Sequence, residues 1–153
     1  MKLCTTVLKP LLITLGIAAA LFGGSASAAD TPASLSGATV VDATKAKALM
    51  ESGAAMIDTR VANEYAEAHI KGARSVPYKE KSTKAADFDP SQDSFDLAKA
   101  SADKNAMVIF HCNGSECWKS YKSSVMAVKA GYTKVYWFRS GFPDWKAKGY
   151  PVE

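Results

Sequence analysis

Cys112 and Cys117 are the residues of this chain whose type and spacing could carry out covalent chemistry. Cys112 opens a compact polar segment, which continues Asn113, Gly114, Ser115, Glu116, Cys117, Trp118. A thiolate is a strong nucleophile, and a loop without proline can turn every amide N–H inward toward a sulfur anion. The segment therefore predicts Cys112 as a nucleophile inside a binding loop made by residues 113–118.

The residues on either side indicate where this loop lies in a fold. Met107 to Phe110 is a short apolar run typical of a buried strand. Beyond the loop, apolar residues recur at the spacing of one helix face: Trp118, Tyr121, Val125, Val128. Cys112 should then lie at the carboxyl end of a strand, facing a helix N-terminus, where ligands bind in open α/β sheets and where a thiol loses its proton more readily. A buried structural cysteine is the alternative.

The N-terminal residues have the layout of a secretory signal peptide. A basic start is followed by an apolar run from Leu11 to Phe22 and by small residues up to Ala29. We expect residues 1–29 to be this signal, residues 30–37 a short linker, and residues 38–153 one domain. The mature protein should be periplasmic or secreted, with no membrane attachment once the signal is removed.

Composition limits which partners and cofactors the chain is expected to bind. The formal net charge is +4, and about +2 without the signal peptide, with scattered lysines and no basic cluster that would favour nucleic acid. Without Cys4 the mature chain holds two cysteines and two histidines, too few for a closed zinc site drawn from one loop. We therefore expect no metal and no cofactor. The two cysteines would close only a small ring, so a disulfide that merely staples the fold explains them poorly.

Short apolar runs alternate with helical patterns, which favours an α/β fold with a roughly five-stranded parallel sheet and helices on both faces. Strands are predicted at 39–41, 54–57, 73–76, 107–110 and 135–138. Helices are predicted at 42–52 (capped by Asp42), at 61–68, within 91–100, from Trp118 onward, and around Phe142 and Trp145.

Three sets of residues resemble the single-domain rhodanese family, over about Ala38 to Glu153. The first runs from Ile57-Asp58-Thr59-Arg60 through Glu64-Tyr65 and His69-Ile70-Lys71-Gly72-Ala73 to Val76-Pro77. The second is Cys112, at the family's sulfur-carrying position. The third is Gly141-Phe142-Pro143-Asp144-Trp145 with Lys148-Gly149-Tyr150-Pro151-Val152. The resemblance implies a rhodanese-like three-layer fold.

It also implies sulfur transfer. Cys112 would take the outer sulfur of thiosulfate or a similar small donor, become a persulfide, and pass that sulfur to a thiol or to cyanide. The family's phosphatase relatives end their loop in arginine. No arginine occurs between Cys112 and Lys122, which disfavours phosphate-ester chemistry.

Cys117 and Trp118 depart from the family pattern. Exported rhodanese-like proteins with such a Cys-Trp pair are associated with quinoprotein dehydrogenase systems, which makes such a system a candidate partner. Cys117 is either a resolving thiol that forms a disulfide with Cys112 or a small residue tolerated at the helix base. Three hypotheses remain open: a sulfurtransferase, a thiol–disulfide redox protein, and a binding module that has lost catalysis.

Charged residues beside the loop have two interpretations each. Arg139 and Arg60 could contact an anionic donor. Arg139 could equally be a solvated surface residue, and an ion pair with Asp58 is the favoured role of Arg60. His111 is expected to be packed or hydrogen-bonded and not a general base, because neighbours on a strand point to opposite faces.

Overall fold

A single parallel sheet organises the computed structural model, which describes residues 29–153. Within that part of the chain the sheet has five strands: β1 (Ala38–Val40), β2 (Ala55–Asp58), β3 (Arg74–Ser75), β4 (Met107–His111) and β5 (Lys134–Phe138). Their order across the sheet is β1-β5-β4-β2-β3, and all four pairings are parallel. The predicted α/β fold is confirmed. The predicted signal peptide, apart from Ala29, lies outside the described residues.

Helices cover both faces of the sheet. They are α1 (Ala43–Glu51), α2 (Ala62–Glu67), α3 (Trp118–Lys129) and α4 (Gly141–Ala147). Because successive strand residues point to opposite faces, Ile109 packs with α1 and α4, whereas Val108 and Phe110 pack with α3. Asp42 caps α1 as predicted, by accepting a hydrogen bond from the N–H of Lys45. No described helix is long and apolar enough to span a bilayer.

The helix predicted within residues 91–100 is wrong. The structure has two single 3₁₀ turns there, Pro90–Gln92 and Leu97–Lys99. A continuous helix cannot form because Ser94 pairs its backbone with Lys79: each N–H donates to the carbonyl of the other, at 3.0 and 2.9 Å. The other predicted elements are present, and the boundaries that were predicted differ from the observed ones by at most one residue.

A buried lysine fastens the irregular segment between β3 and β4 to α3. The side chain of Lys122 is fully buried, and its Nζ lies 2.8 Å from Glu80 Oε1 and 3.7 Å from Asp93 Oδ2. Nζ also donates to the hydroxyl and the carbonyl of Ser82. Burying these charged groups is tolerated because the ammonium lies beside both carboxylates, and Asp93 also accepts hydrogen bonds from Tyr78 and Ser82.

We expect Lys122→Met to destabilise the protein by about 3–5 kcal/mol, because it leaves Glu80 and Asp93 buried without a cation. Urea denaturation measures this change. Lys129→Met, an exposed position in the same helix, is the matched control and should change the unfolding free energy by less than about 0.5 kcal/mol. Equal effects of the two substitutions would contradict a stabilising role for the buried cluster.

Candidate active site

Cys112 follows the last residue of β4, at the carboxyl edge of the sheet. Its carbonyl oxygen accepts a hydrogen bond of 2.9 Å from the N–H of Phe142, in the first turn of α4. This approach requires Gly141, which has φ +62°; a Cβ there would lie 2.2 Å from the Cys112 carbonyl oxygen. The β5–α4 corner therefore fixes the backbone of Cys112 from one side.

The structure joins Cys112 and Cys117 in a disulfide whose Cα atoms are 6.1 Å apart. The two ends of the bond differ in exposure. Cys112 is 1% exposed, whereas Cys117, which is the N-cap residue of α3, is partly exposed. A reagent in solution therefore meets Cys117 first.

The loop between the cysteines presents a run of unpaired amides. Gly114 has φ +129°, a backbone conformation that favours glycine, and its carbonyl accepts a hydrogen bond of 3.1 Å from the N–H of Cys117. Within residues 29–153, no protein acceptor is present for the N–H groups of residues 113–116. Such successive free amides, together with the N-terminus of the twelve-residue α3, favour an anion at this position.

Two clefts open on this loop and share Asn113 and Pro143. The larger one, of about 480 Å³, is lined by Asn113, Gly114, Ser115, Glu116, Arg139, Ser140 and Pro143. The other, of about 330 Å³, extends toward α2 and includes Arg60, Glu64 and Lys146. The Asn113 side chain donates to Glu64 Oε1 at 2.6 Å, which links the loop to α2. The larger cleft lies directly against the loop, since three further loop residues line it.

Arg60 and His111 form a buried group with Asp58 behind the loop. Arg60 donates to both carboxylate oxygens of Asp58 and to the carbonyl of Ala68. The favoured ion pair is therefore present, and the arginine side chain is only 4% exposed. The Nε2 atom of His111 lies 3.5 Å from Asp58 Oδ2. Burial lowers the pKa of His111, with the Asp58 charge opposing this. His111 is thus packed and neutral near pH 7, as expected.

Arg139 reaches the N-terminal segment. Its guanidinium donates to the hydroxyl of Thr31 and to the carbonyls of Thr31 and Pro32. Thr31 in turn donates from its N–H and its hydroxyl to the carbonyl of Ser115. Sequence reasoning assigned this segment to a linker. No local pattern signals the contact, because it joins residues more than 80 positions apart. That Arg139 or Arg60 binds an anionic donor stays a prediction.

No metal centre is evident in this region. Within residues 29–153, no group of three or more histidine, cysteine, aspartate or glutamate side chains is arranged to hold a metal ion.

Comparison with known proteins places this arrangement in a family. The rhodanese-like domain family matches residues 42–148, and the chain belongs to that family. Among curated proteins, no relative matches the chain. The sequence resemblance to rhodaneses is thereby confirmed.

Solved structures show the same fold at low identity. A protein from Bacillus halodurans is 20% identical, with a TM-score of 0.56 over 76% of this chain and 77% of its own. The rhodanese-like domain of an Anabaena protein is 22% identical, with a TM-score of 0.53 over 74% and 76%. The thiosulfate sulfurtransferase from Pseudomonas aeruginosa is 24% identical, with a TM-score of 0.56 over 76% of this chain and 20% of its own, so the match spans only a fifth of that protein.

Gly141→Ala should disrupt the site, because the new Cβ would overlap the carbonyl oxygen of Cys112. We expect a loss of more than about 2 kcal/mol in the unfolding free energy, together with slower closure of the Cys112–Cys117 disulfide in a thiol buffer. Gly149→Ala is the matched control. It has nearly the same φ, +67°, but open space around the Cβ position, so it should incur only the backbone penalty of about 1–2 kcal/mol. Equal losses would contradict the contact.

Proposed function

We propose that this protein is a sulfurtransferase that carries a sulfane sulfur on Cys112. The observation that carries the proposal is the run of free amides directly after Cys112, at the N-terminus of α3. These groups suit a thiolate before the reaction and a persulfide anion after it. Membership of the rhodanese-like family supports a sulfurtransferase-type fold. The use of an anionic sulfur donor is what we propose in addition.

The reaction begins from the reduced pair. The Cys112 thiolate attacks the outer sulfur of thiosulfate, the sulfur–sulfur bond of the donor breaks, and sulfite leaves with the electron pair. A thiolate or cyanide then attacks the outer sulfur of the Cys112 persulfide, takes it, and leaves the Cys112 thiolate behind. Because Cys112 is bonded to Cys117 in the structure, a dithiol reductant must first open that bond. The proposal requires that opening the bond lets the donor reach the Cys112 sulfur, because Cys112 is only 1% exposed in the disulfide form.

Cys117 limits the lifetime of the persulfide. As a thiolate it can attack the inner sulfur of the persulfide, which re-forms the Cys112–Cys117 disulfide and expels hydrosulfide. The Cα separation of 6.1 Å shows that the backbone already accommodates this bond. The pair would thus return to the disulfide whenever no acceptor removes the sulfur.

The site of action proposed for this chemistry is an oxidising compartment outside the cytoplasm. The signal-peptide pattern of residues 1–29 and a cysteine pair held as a disulfide both suit such a compartment. A partner that supplies thiols there would reset the protein after each closure.

Intact-mass measurement after incubation with thiosulfate tests the proposal. The oxidised protein should gain nothing, the dithiothreitol-reduced protein should gain one sulfur atom transiently, and Cys117→Ser should gain it without reductant and keep it longer. Cys112→Ser should never gain sulfur, because the carrier is gone. A protein that gains no sulfur in any reduced form, or a Cys112→Ser variant that still gains it, would refute sulfur transfer through Cys112.

A second candidate function is thiol–disulfide exchange, which the observed Cys112–Cys117 bond favours. Because Cys117 is partly exposed and Cys112 is buried, an external thiolate should attack the Cys117 sulfur. The Cys112 sulfur is then released as a thiolate next to the free amide N–H groups of the loop.

Trapping of the mixed disulfide tests this order. The oxidised protein is treated briefly with glutathione, quenched with acid, alkylated, and cleaved after Glu116, which separates the two cysteines into different peptides. We expect glutathione on Cys117 and the alkyl group on Cys112. Glutathione found mainly on Cys112 would contradict the order that exposure imposes.

A further inference from the structure

The N-terminal segment Ala29–Pro32, here called the strap, lies across the active-site loop. The indole N–H of Trp118 donates to the carbonyl of Ala29 at 2.9 Å. The hydroxyl of Ser115 donates to Asp30 Oδ1 at 2.8 Å. Thr31 is 3% exposed, an unusual burial for a polar residue so close to the end of the described chain.

Thr31 connects Arg139 to the loop through a chain of hydrogen bonds. The Thr31 hydroxyl accepts from Arg139 Nε at 3.1 Å and donates to the Ser115 carbonyl at 2.7 Å. The Thr31 N–H donates to the same carbonyl at 2.9 Å. Arg139 also holds the strap backbone, by donating to the carbonyls of Thr31 at 2.7 Å and Pro32 at 3.1 Å. A charged donor strengthens the whole chain.

These bonds determine the direction of one amide in the loop. The described residues contain no cis peptide bond, and in a trans peptide the carbonyl oxygen and the following N–H point in opposite directions. Because the Ser115 carbonyl faces Thr31, the N–H of Glu116 must point away from the strap. That N–H finds no protein acceptor among the described residues. It is therefore one of the amides left available for an anion.

We infer that Thr31 and Arg139 are positioning residues that hold the Glu116 N–H toward the sulfur carried by Cys112. This inference rests on the proposed function. A hydrogen-bond donor that is held in place before the reaction does not have to reorient when the anion forms. Its stabilisation of the anion is therefore not reduced by a reorganisation cost. The strap thus makes the residues next to the predicted signal peptide part of the active site.

Single-turnover sulfur loading measures this role. The reference is the Cys117→Ser protein, in which no disulfide competes, and Thr31→Val, Thr31→Ser and Arg139→Lys are added to it separately. Removing one donor to a developing anion costs about a hundredfold or more in rate, so a donor that remains but is poorly aimed should cost about tenfold. We expect this loss in the limiting loading rate with Thr31→Val and Arg139→Lys, an unchanged KM for thiosulfate with Thr31→Val, and recovery to within about twofold with Thr31→Ser.

Arg74→Lys is the matched control. Arg74 also holds backbone carbonyls, those of Lys99 and Ala100, at 2.9 and 3.0 Å, but away from the loop. It should lower Tm as Arg139→Lys does and leave the loading rate unchanged. If Thr31→Val and Arg139→Lys lower only Tm, or lower the rate no more than Arg74→Lys, the positioning role is overturned.

A second measurement keeps the inference testable if the reference protein takes up no sulfur. In that case the proposed function fails, and the order parameter of the Glu116 amide, measured by 15N NMR relaxation, judges the strap alone. Thr31→Val should lower that order parameter below the about 0.85 of rigid backbone, because the Ser115 carbonyl loses one of its two hydrogen bonds from Thr31. An unchanged order parameter would overturn the inference independently of sulfur transfer.

Discussion

The active-site region depends on the close approach of α4 to the end of β4. The Phe142 N–H binds the Cys112 carbonyl over Gly141, where no side chain could fit. This contact directs the chain away from the sheet just after Cys112, so that the following amides are not consumed by strand or helix hydrogen bonds. Their availability is the physical basis of any anion chemistry at this loop.

Several charged side chains in and near the site form ion pairs and hydrogen bonds within the protein. Arg60 is committed to Asp58, Lys122 to Glu80, and Arg139 to the strap. Because these cations already have partners, backbone amides and the helix N-terminus supply much of the positive potential around the cysteine pair. Such a site favours a small, diffuse anion such as a persulfide, and it keeps its shape because these contacts join segments far apart in sequence.

The two proposed chemistries share one pair of sulfur atoms. A persulfide on Cys112 and the bond between Cys112 and Cys117 are alternative partners for the same sulfur, so the supply of thiols decides which of them dominates. In the proposed chemistry, the difference in exposure gives each cysteine its own role: Cys117 would receive external thiolates, and Cys112 would hold charge among the amides. Sulfur transfer and disulfide exchange are then two branches of one cycle.

The sequence by itself determined the strands, most helices and the position of Cys112, because apolar periodicity and the glycine at 114 are local signals. It misjudged residues 91–100, where the backbone of Ser94 pairs with the distant Lys79 instead of continuing a helix. Only the tertiary structure decided that Lys122 is buried, that Cys112 is less exposed than Cys117, and that Thr31 and Arg139 clamp the loop. Each of these contacts joins residues distant in the chain, and no local spacing encodes which distant groups will meet.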